Sequence, residues 1–303
     1  MMTLFSGLSA FPLTPTDNQG RLMPDLMALH LERLSLAGVD SVGLLGSTGS
    51  YAYLSTEERK RTVRLAADAL GGRVPLIVGV GALRTDEAEA LARDAAEAGA
   101  DGLLLAPVSY QKLTEEEVYQ HFKAVASAGG LPLCIYNNPG TTNFIFSQDL
   151  IVRLSKVPHI SGVKMPLPTN SDFAGEMFIL RPRTPEGFAI GYSGDWGAKD
   201  SLLAGGDAWF SVVAGLLPVP ALQLTRAAAS KDKQKATRLD QAFKPLWALF
   251  KEFGSFRVMY ELANLLDGNR IEPMHPVQPL TADDRQKVQA ALSSLHESIA
   301  SLK

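Results

Sequence analysis

Eight short apolar runs, each followed by a stretch of helical periodicity, govern what this chain can fold into. The runs are Leu8–Thr14, Val39–Leu45, Pro75–Gly81, Asp101–Ala106, Pro132–Tyr136, Ile160–Lys164, Phe188–Ser193 and Ala208–Ala214. They are almost continuously apolar, as parallel strands are when helices cover them. Helix starts and stops lie between them. Ser55-Thr56-Glu57-Glu58 and Thr114-Glu115-Glu116-Glu117 have capping-box spacing, in which a hydroxyl and a carboxylate satisfy each other's backbone N–H. Pro24 to Ala37 opens on a proline, whose missing N–H is no loss in a first turn, and stops at Gly38. Asp86 to Ala98 is rich in Ala, Leu and Glu and stops at Gly99. Eight such units in about 220 residues predict an α/β fold, a closed (β/α)8 TIM barrel over residues 1–222, since such barrels typically take ~250 residues. A doubly wound open sheet shares the alternation, which does not by itself separate the two. Beyond Ala221 the pattern is purely helical: Pro220–Ser230, Lys235–Glu252, Ser255–Leu266 and Thr281–Lys303. This C-terminal helical extension, residues 223–303, is expected to pack on the barrel, because no low-complexity linker precedes it.

Composition removes several function classes. With 20% charged residues and a net charge of −3, there is no basic surplus to meet nucleic acid and no charge block to form a disordered tail. No apolar run is long enough to cross a bilayer. The stretch from Met1 to Gly7 has no basic region ahead of an apolar core, so no signal peptide is expected. One cysteine, Cys134, excludes an internal disulfide framework and suits a reducing cytoplasm. The five histidines (His30, His121, His159, His275 and His296) are scattered without metal-ligand spacing, and no metal is expected.

The sixth run carries the chain's most informative residue. Within Ile160-Ser161-Gly162-Val163-Lys164-Met165-Pro166, strand alternation puts Gly162 and Lys164 on one face and Val163 and Met165 on the other. A lysine is rarely buried without a partner, because desolvating its ammonium is costly. Lys164 is therefore either an edge-strand lysine snorkelling to water or a desolvated amine able to attack a carbonyl as a Schiff-base nucleophile. Four other strand ends are chemically loaded, at the end of a barrel where chemistry concentrates. The second run leads into Gly46-Ser47-Thr48-Gly49-Ser50, where amides and hydroxyls can converge on an anion. No Gly-Lys-Ser/Thr follows, so this is no phosphate loop. The fifth ends Tyr136-Asn137-Asn138-Pro139-Gly140-Thr141-Thr142, with a tyrosine able to relay protons. Cys134 shares its face but lies deeper, as core filling. The seventh ends Tyr192-Ser193-Gly194-Asp195-Trp196 and the eighth carries Ser211, offering polar contacts and an aromatic wall. Asp195 is equally suited to capping the next helix.

Together these residues resemble the dihydrodipicolinate synthase / N-acetylneuraminate lyase family, the pyruvate-dependent class I aldolases. The carriers are Gly46-Ser47-Thr48-Gly49, Tyr136-Asn137-x-Pro139, Gly162-Val163-Lys164, Ser193-Gly194-Asp195, and Gly205-Gly206 leading to Ser211. The resemblance implies a (β/α)8 barrel with a helical extension, assembled as a homotetramer and working without a cofactor. It implies that Lys164 condenses with a 2-oxo acid such as pyruvate and that Tyr136 shuttles protons. Ser47 and Thr48 are then expected to bind the substrate carboxylate, with Gly194, Ser211 and Thr141 among the substrate contacts. Tyr110 is the candidate for the tyrosine that reaches a neighbouring subunit's site.

The departures from the family pattern narrow the reaction. Synthases that use aspartate semialdehyde carry an arginine where this chain has Thr141, and a hydroxyl does not replace a guanidinium's bidentate grip. Ser50 stands where many members have Glu, and Met165-Pro166-Leu167-Pro168 follows the lysine where a polar residue is common. The leading expectation is a Schiff-base lyase or aldolase joining or splitting pyruvate (or another 2-oxo acid) and an aldehyde, with a sugar acid as a candidate source. Three alternatives stay open: a dehydratase of a 2-keto-3-deoxy sugar acid, 4-hydroxy-tetrahydrodipicolinate synthase, and a barrel that binds a 2-oxo acid without turnover.

Overall fold

The computed structural model describes residues 3–302. Met1 and Met2 of the N-terminal stretch, and Lys303 at the expected end of the last helix, lie outside the described residues. Eight strands form: β1 (Gly7–Ala10), β2 (Ser41–Leu44), β3 (Leu76–Gly79), β4 (Gly102–Leu105), β5 (Leu133–Tyr136), β6 (Ile160–Met165), β7 (Ala189–Tyr192) and β8 (Ala208–Ser211). Each runs parallel to its neighbours, and β8 returns to pair with β1, with Ala10 opposite Ser211. The sheet is closed. Several apolar runs outlast their strands. The first ladder stops at Ala10, ahead of Pro12, which has no N–H to offer it. The second stops where Leu45 turns to φ 55°.

Helices α1 (Pro24–Ala37), α2 (Thr56–Leu70), α3 (Thr85–Glu97) and α4 (Glu115–Gly129) follow the first four strands. After β5 come a single turn, α5 (Pro139–Thr142), and α6 (Gln148–Leu154); α7 (Phe173–Leu180), α8 (Ala198–Leu203) and α9 (Pro218–Ala229) complete the ring. Gly38 ends α1 in the left-handed region, its N–H bonding back to the carbonyls of Leu34 and Ser35. Thr114 and Glu117 form the full capping box. At Ser55 only half forms: its oxygen accepts from the Glu58 N–H, while the Glu58 carboxylate reaches across to the Leu22 N–H at 2.7 Å. A carboxylate three residues into a helix has more than one donor in reach once the chain folds.

The remaining helices are α10 (Lys233–Phe253), α11 (Ser255–Asp267) and α12 (Ala282–Ala300). The expected division at residue 222 falls inside α9, which packs on β1 and α1. Asp267, at the end of α11, accepts from the wholly buried His30 Nε2 at 2.7 Å and pairs with Arg33, tying this region to α1. Burial alone raises a carboxyl, but the His30 and Arg33 hydrogen bonds hold Asp267 below the ordinary carboxylate range.

Side chains alternate between an outer core under the helices and the barrel interior. Leu8, Val42, Leu76, Val78, Leu103, Ile135, Val163 and Ile190 face outward into the helix layer. The interior is filled by a few rings set against small residues: Phe5, Phe11 and Phe210 pack with Cys134, Tyr136, Ala189 and Ala208. Burying one such ring contributes about 1.5–3 kcal/mol.

Candidate active site

A register shift in β6 aims the lysine. Leu133 lies opposite Ile160, but Cys134 lies opposite Gly162, so Ser161 is passed over and Tyr136 pairs with Lys164. Ile160 joins the outer core, while Gly162 and Lys164 point inward. A side chain at Gly162 would meet the Phe5 ring at 2.9 Å. Lys164 is 4% exposed. Its Nζ stands 3.9 Å from the Phe11 ring centroid, 4.1 Å from that of Tyr136 and 5.8 Å from that of Phe210. Tyr136 ends β5 and Phe11 lies just past β1, so the amine sits at the C-terminal mouth of the barrel. This is the desolvated arrangement, not the snorkelling one.

Tyr136 carries the nearest hydroxyl network. Its Oη lies 3.2 Å from Ser47 Oγ and accepts from Asn138 Nδ2 at 3.0 Å. The turn presenting Ser47 is built by two non-glycine residues in the left-handed region, Leu45 (φ 55°) and Ser50 (φ 59°). The path is possible because Gly79 has no side chain: a Cβ there would lie 2.0 Å from the Leu45 carbonyl oxygen. Thr14 Oγ1 donates to the Gly49 carbonyl at 2.8 Å, and Thr48 is buried within the turn. Beneath it, the buried Arg59 guanidinium of α2 donates to the carbonyls of Gly79 and Gly81, each at 3.0 Å. Burial lowers Arg59 to about 10 and raises the Tyr51 phenol beside it to about 12.

On the opposite wall, Gly194 adopts φ 96° and Leu167 lies across it, 2.8 Å from where a Cβ would stand. The apolar segment after Lys164 thus packs onto the loop after β7. Asp195 does not cap the following helix. Its buried carboxylate accepts from Trp209 Nε1 at 2.9 Å, the Val212 N–H at 3.1 Å and the Val213 N–H at 2.7 Å, clamping the end of β8. Burial pushes its carboxyl up to about 6, against those hydrogen bonds and the nearby Lys164 charge.

The other anticipated residues differ widely in exposure. Ser211 is wholly buried, and its hydroxyl oxygen accepts from the Ala214 N–H at 3.0 Å. Trp196 is no inner wall: it is exposed, 5.5 Å from the Lys251 ammonium of α10. Thr141 is exposed on α5, its hydroxyl 3.4 Å from the Asn138 carbonyl. Tyr110 is 89% exposed. Cys134 is buried below the lysine, and burial pushes its thiol well above the usual range. Among the described residues, no group of three or more His, Cys, Asp and Glu side chains is placed to hold a metal ion. Nor is any described helix long and apolar enough to cross a membrane.

Sequence reasoning passed over Asn138, Phe11 and Arg59. Arg59 had a signal, since it lies on the buried stripe of α2 with Thr62, Val63, Ala66 and Leu70. A charged residue on an apolar face asks for internal partners.

The sequence model of the Dihydrodipicolinate synthetase family matches residues 4–295. The chain belongs to this family and is a lyase. A 4-hydroxy-tetrahydrodipicolinate synthase of Neisseria meningitidis serogroup C is 35% identical over 289 residues, covering 93% of this chain and 96% of that protein. Among solved structures, a dihydrodipicolinate synthase from Agrobacterium tumefaciens is 60% identical with a TM-score of 0.96, covering 97% and 99% of the two chains. The chloride-inhibited dihydrodipicolinate synthase of Acinetobacter baumannii, solved with pyruvate, is 29% identical with a TM-score of 0.88, covering 97% and 99%. In this family member the mouth offers a buried amine, a phenol and a hydroxyl-bearing turn. Those are the parts needed for carbonyl capture, proton transfer and anion binding.

Proposed function

We propose that this lyase forms an imine between Lys164 and a 2-oxo acid such as pyruvate, and makes or breaks a C–C bond to an aldehyde of the sugar-acid type. The observation that carries the reading is the pairing of Tyr136 with Lys164 on adjacent strands, with Nζ 4.1 Å from the phenol ring centroid. The amine adds to the keto carbon, and loss of water gives the imine. The protonated imine then draws electrons from C3 as a proton or an aldehyde leaves. Ser47 and Thr48, with the amides of their turn, are suited to hold the substrate carboxylate, with Gly194 on the opposite wall, where Leu167 takes the space a side chain would fill. The protonated imine is itself the electron sink, so the scheme needs no cofactor. A homotetramer in a reducing cytoplasm is the setting we infer from the family resemblance and the single cysteine.

Thr141 supports an aldehyde without its own carboxylate, since an exposed hydroxyl offers no bidentate grip. The names of the synthase relatives favour a second reading, condensation with aspartate semialdehyde. Product analysis separates them. Release of pyruvate and an aldehyde from 2-keto-3-deoxy sugar acids is expected. A dehydrated oxo acid would make the enzyme a dehydratase, and a higher kcat/KM with aspartate semialdehyde would make it the synthase. Stabilisation by pyruvate with no imine and no turnover would leave a binding protein.

A further inference from the structure

Asn138 closes a triangle that neither the family motif nor the spacing of the chain singles out. Its Nδ2 lies 3.0 Å from Tyr136 Oη and 3.5 Å from Ser47 Oγ, and those two oxygens are 3.2 Å apart. The residue is half-buried, and its backbone is held by the turn that follows. The Asn138 carbonyl accepts from the N–H groups of Thr141 at 3.1 Å and Thr142 at 3.2 Å, and from the Thr142 hydroxyl at 3.0 Å. Its side chain is therefore kept on the mouth. An amide N–H can only donate. Aimed at the phenol oxygen, it turns the hydrogen of Tyr136 away from itself, towards Ser47 or the reacting group. It also binds most strongly once that hydrogen has gone, because a bond to an ionised acceptor is roughly twice as strong as a neutral one.

We propose that Asn138 is a positioning residue for proton transfer at Lys164, holding Tyr136 in place and stabilising its phenolate. The proposal rests on the imine reading of Lys164. When the carbinolamine dehydrates, the C–O bond breaks as the nitrogen lone pair forms the C=N bond. The Tyr136 proton departs with the hydroxyl as water, and the phenolate left behind faces the Asn138 amide. As the enamine forms, the C–H bond at C3 breaks, its electrons fill the C=C bond, and the proton returns to Tyr136.

The test follows exchange of the pyruvate methyl hydrogens for deuterium in D2O by proton NMR. The full-length wild type is compared with Asn138→Leu, Asn138→Asp, Tyr136→Phe and the Asn138→Leu/Tyr136→Phe double variant. Asn138→Leu is expected to slow exchange roughly tenfold or more. Asn138→Asp keeps the shape but accepts instead of donating, and is expected to lose at least as much. The double variant should exchange no more slowly than Tyr136→Phe alone, because Asn138 acts through the phenol. Wild-type exchange rates in both Asn138 variants, or effects that multiply in the double variant, would overturn the proposal alone. A wild type with neither exchange nor a borohydride-trapped adduct would overturn the imine reading and this proposal with it.

Discussion

At the scale of single residues, the proposed chemistry separates a reacting pair from a residue suited to choosing the second substrate. Lys164 and Tyr136 are fixed by strand pairing and by packing on Phe11, so the proposed imine chemistry would draw on residues with little freedom to move. Thr141 is exposed on the short α5, its hydroxyl 3.4 Å from the Asn138 carbonyl. Thr141→Arg should therefore fold normally and raise kcat/KM for an aldehyde bearing a carboxylate over one without by about tenfold or more, the gain of a bidentate charged contact. Competition between the two aldehydes measures that ratio, and an unchanged ratio would show that another residue meets the second substrate. Lys164 was legible because a lone cation in an apolar run must have a reason to be there. Asn138 was not, because its partner Ser47 is 91 positions away along the chain, a proximity only the folded barrel creates.

At the scale of elements, two loop anchors hold the mouth open. The turn after β2 leans on β3, where Gly79 leaves room for the Leu45 carbonyl. Gly79→Ala should displace the turn, raise the KM for pyruvate several-fold and cost about 1–3 kcal/mol of stability. Steady-state kinetics and denaturant titration check the two halves; an unchanged KM would mean that this turn does not bind the substrate. The other anchor is Asp195, clamped to the end of β8. Its carboxyl keeps a proton up to about 6 in the folded chain, against an ordinary 3.8 unfolded. The folded state therefore holds the extra proton between those values. Stability from this group is greatest below 3.8 and is lost as pH rises through about 6. The difference in unfolding free energy between wild type and Asp195→Asn should fall over that interval and level off above it; a difference that rises with pH would contradict the assignment. Aspartate ahead of a helix looks locally like a cap, and only the return of residues 209–213 beside it supplies its real donors.

At the scale of the whole molecule, the barrel was readable because strands and helices impose different periods on one chain. Alternation alone left closure open; the count of eight units and the family resemblance predicted it, and the pairing of β1 with β8 bears it out. The helices after α9 are tied back to the barrel through the His30–Asp267–Arg33 cluster, and Tyr260 of α11 comes within 3.5 Å of Ser50 in the turn after β2. Fold and site thus converge on one amine at the barrel mouth. Incubation of the intact protein with pyruvate and borohydride, followed by mass measurement and peptide mapping, tests that amine most directly. One reduced pyruvyl group on the peptide containing Lys164 is expected, and it should be absent from Lys164→Arg. An adduct on another lysine, or none at all, would contradict the imine chemistry assigned to this site.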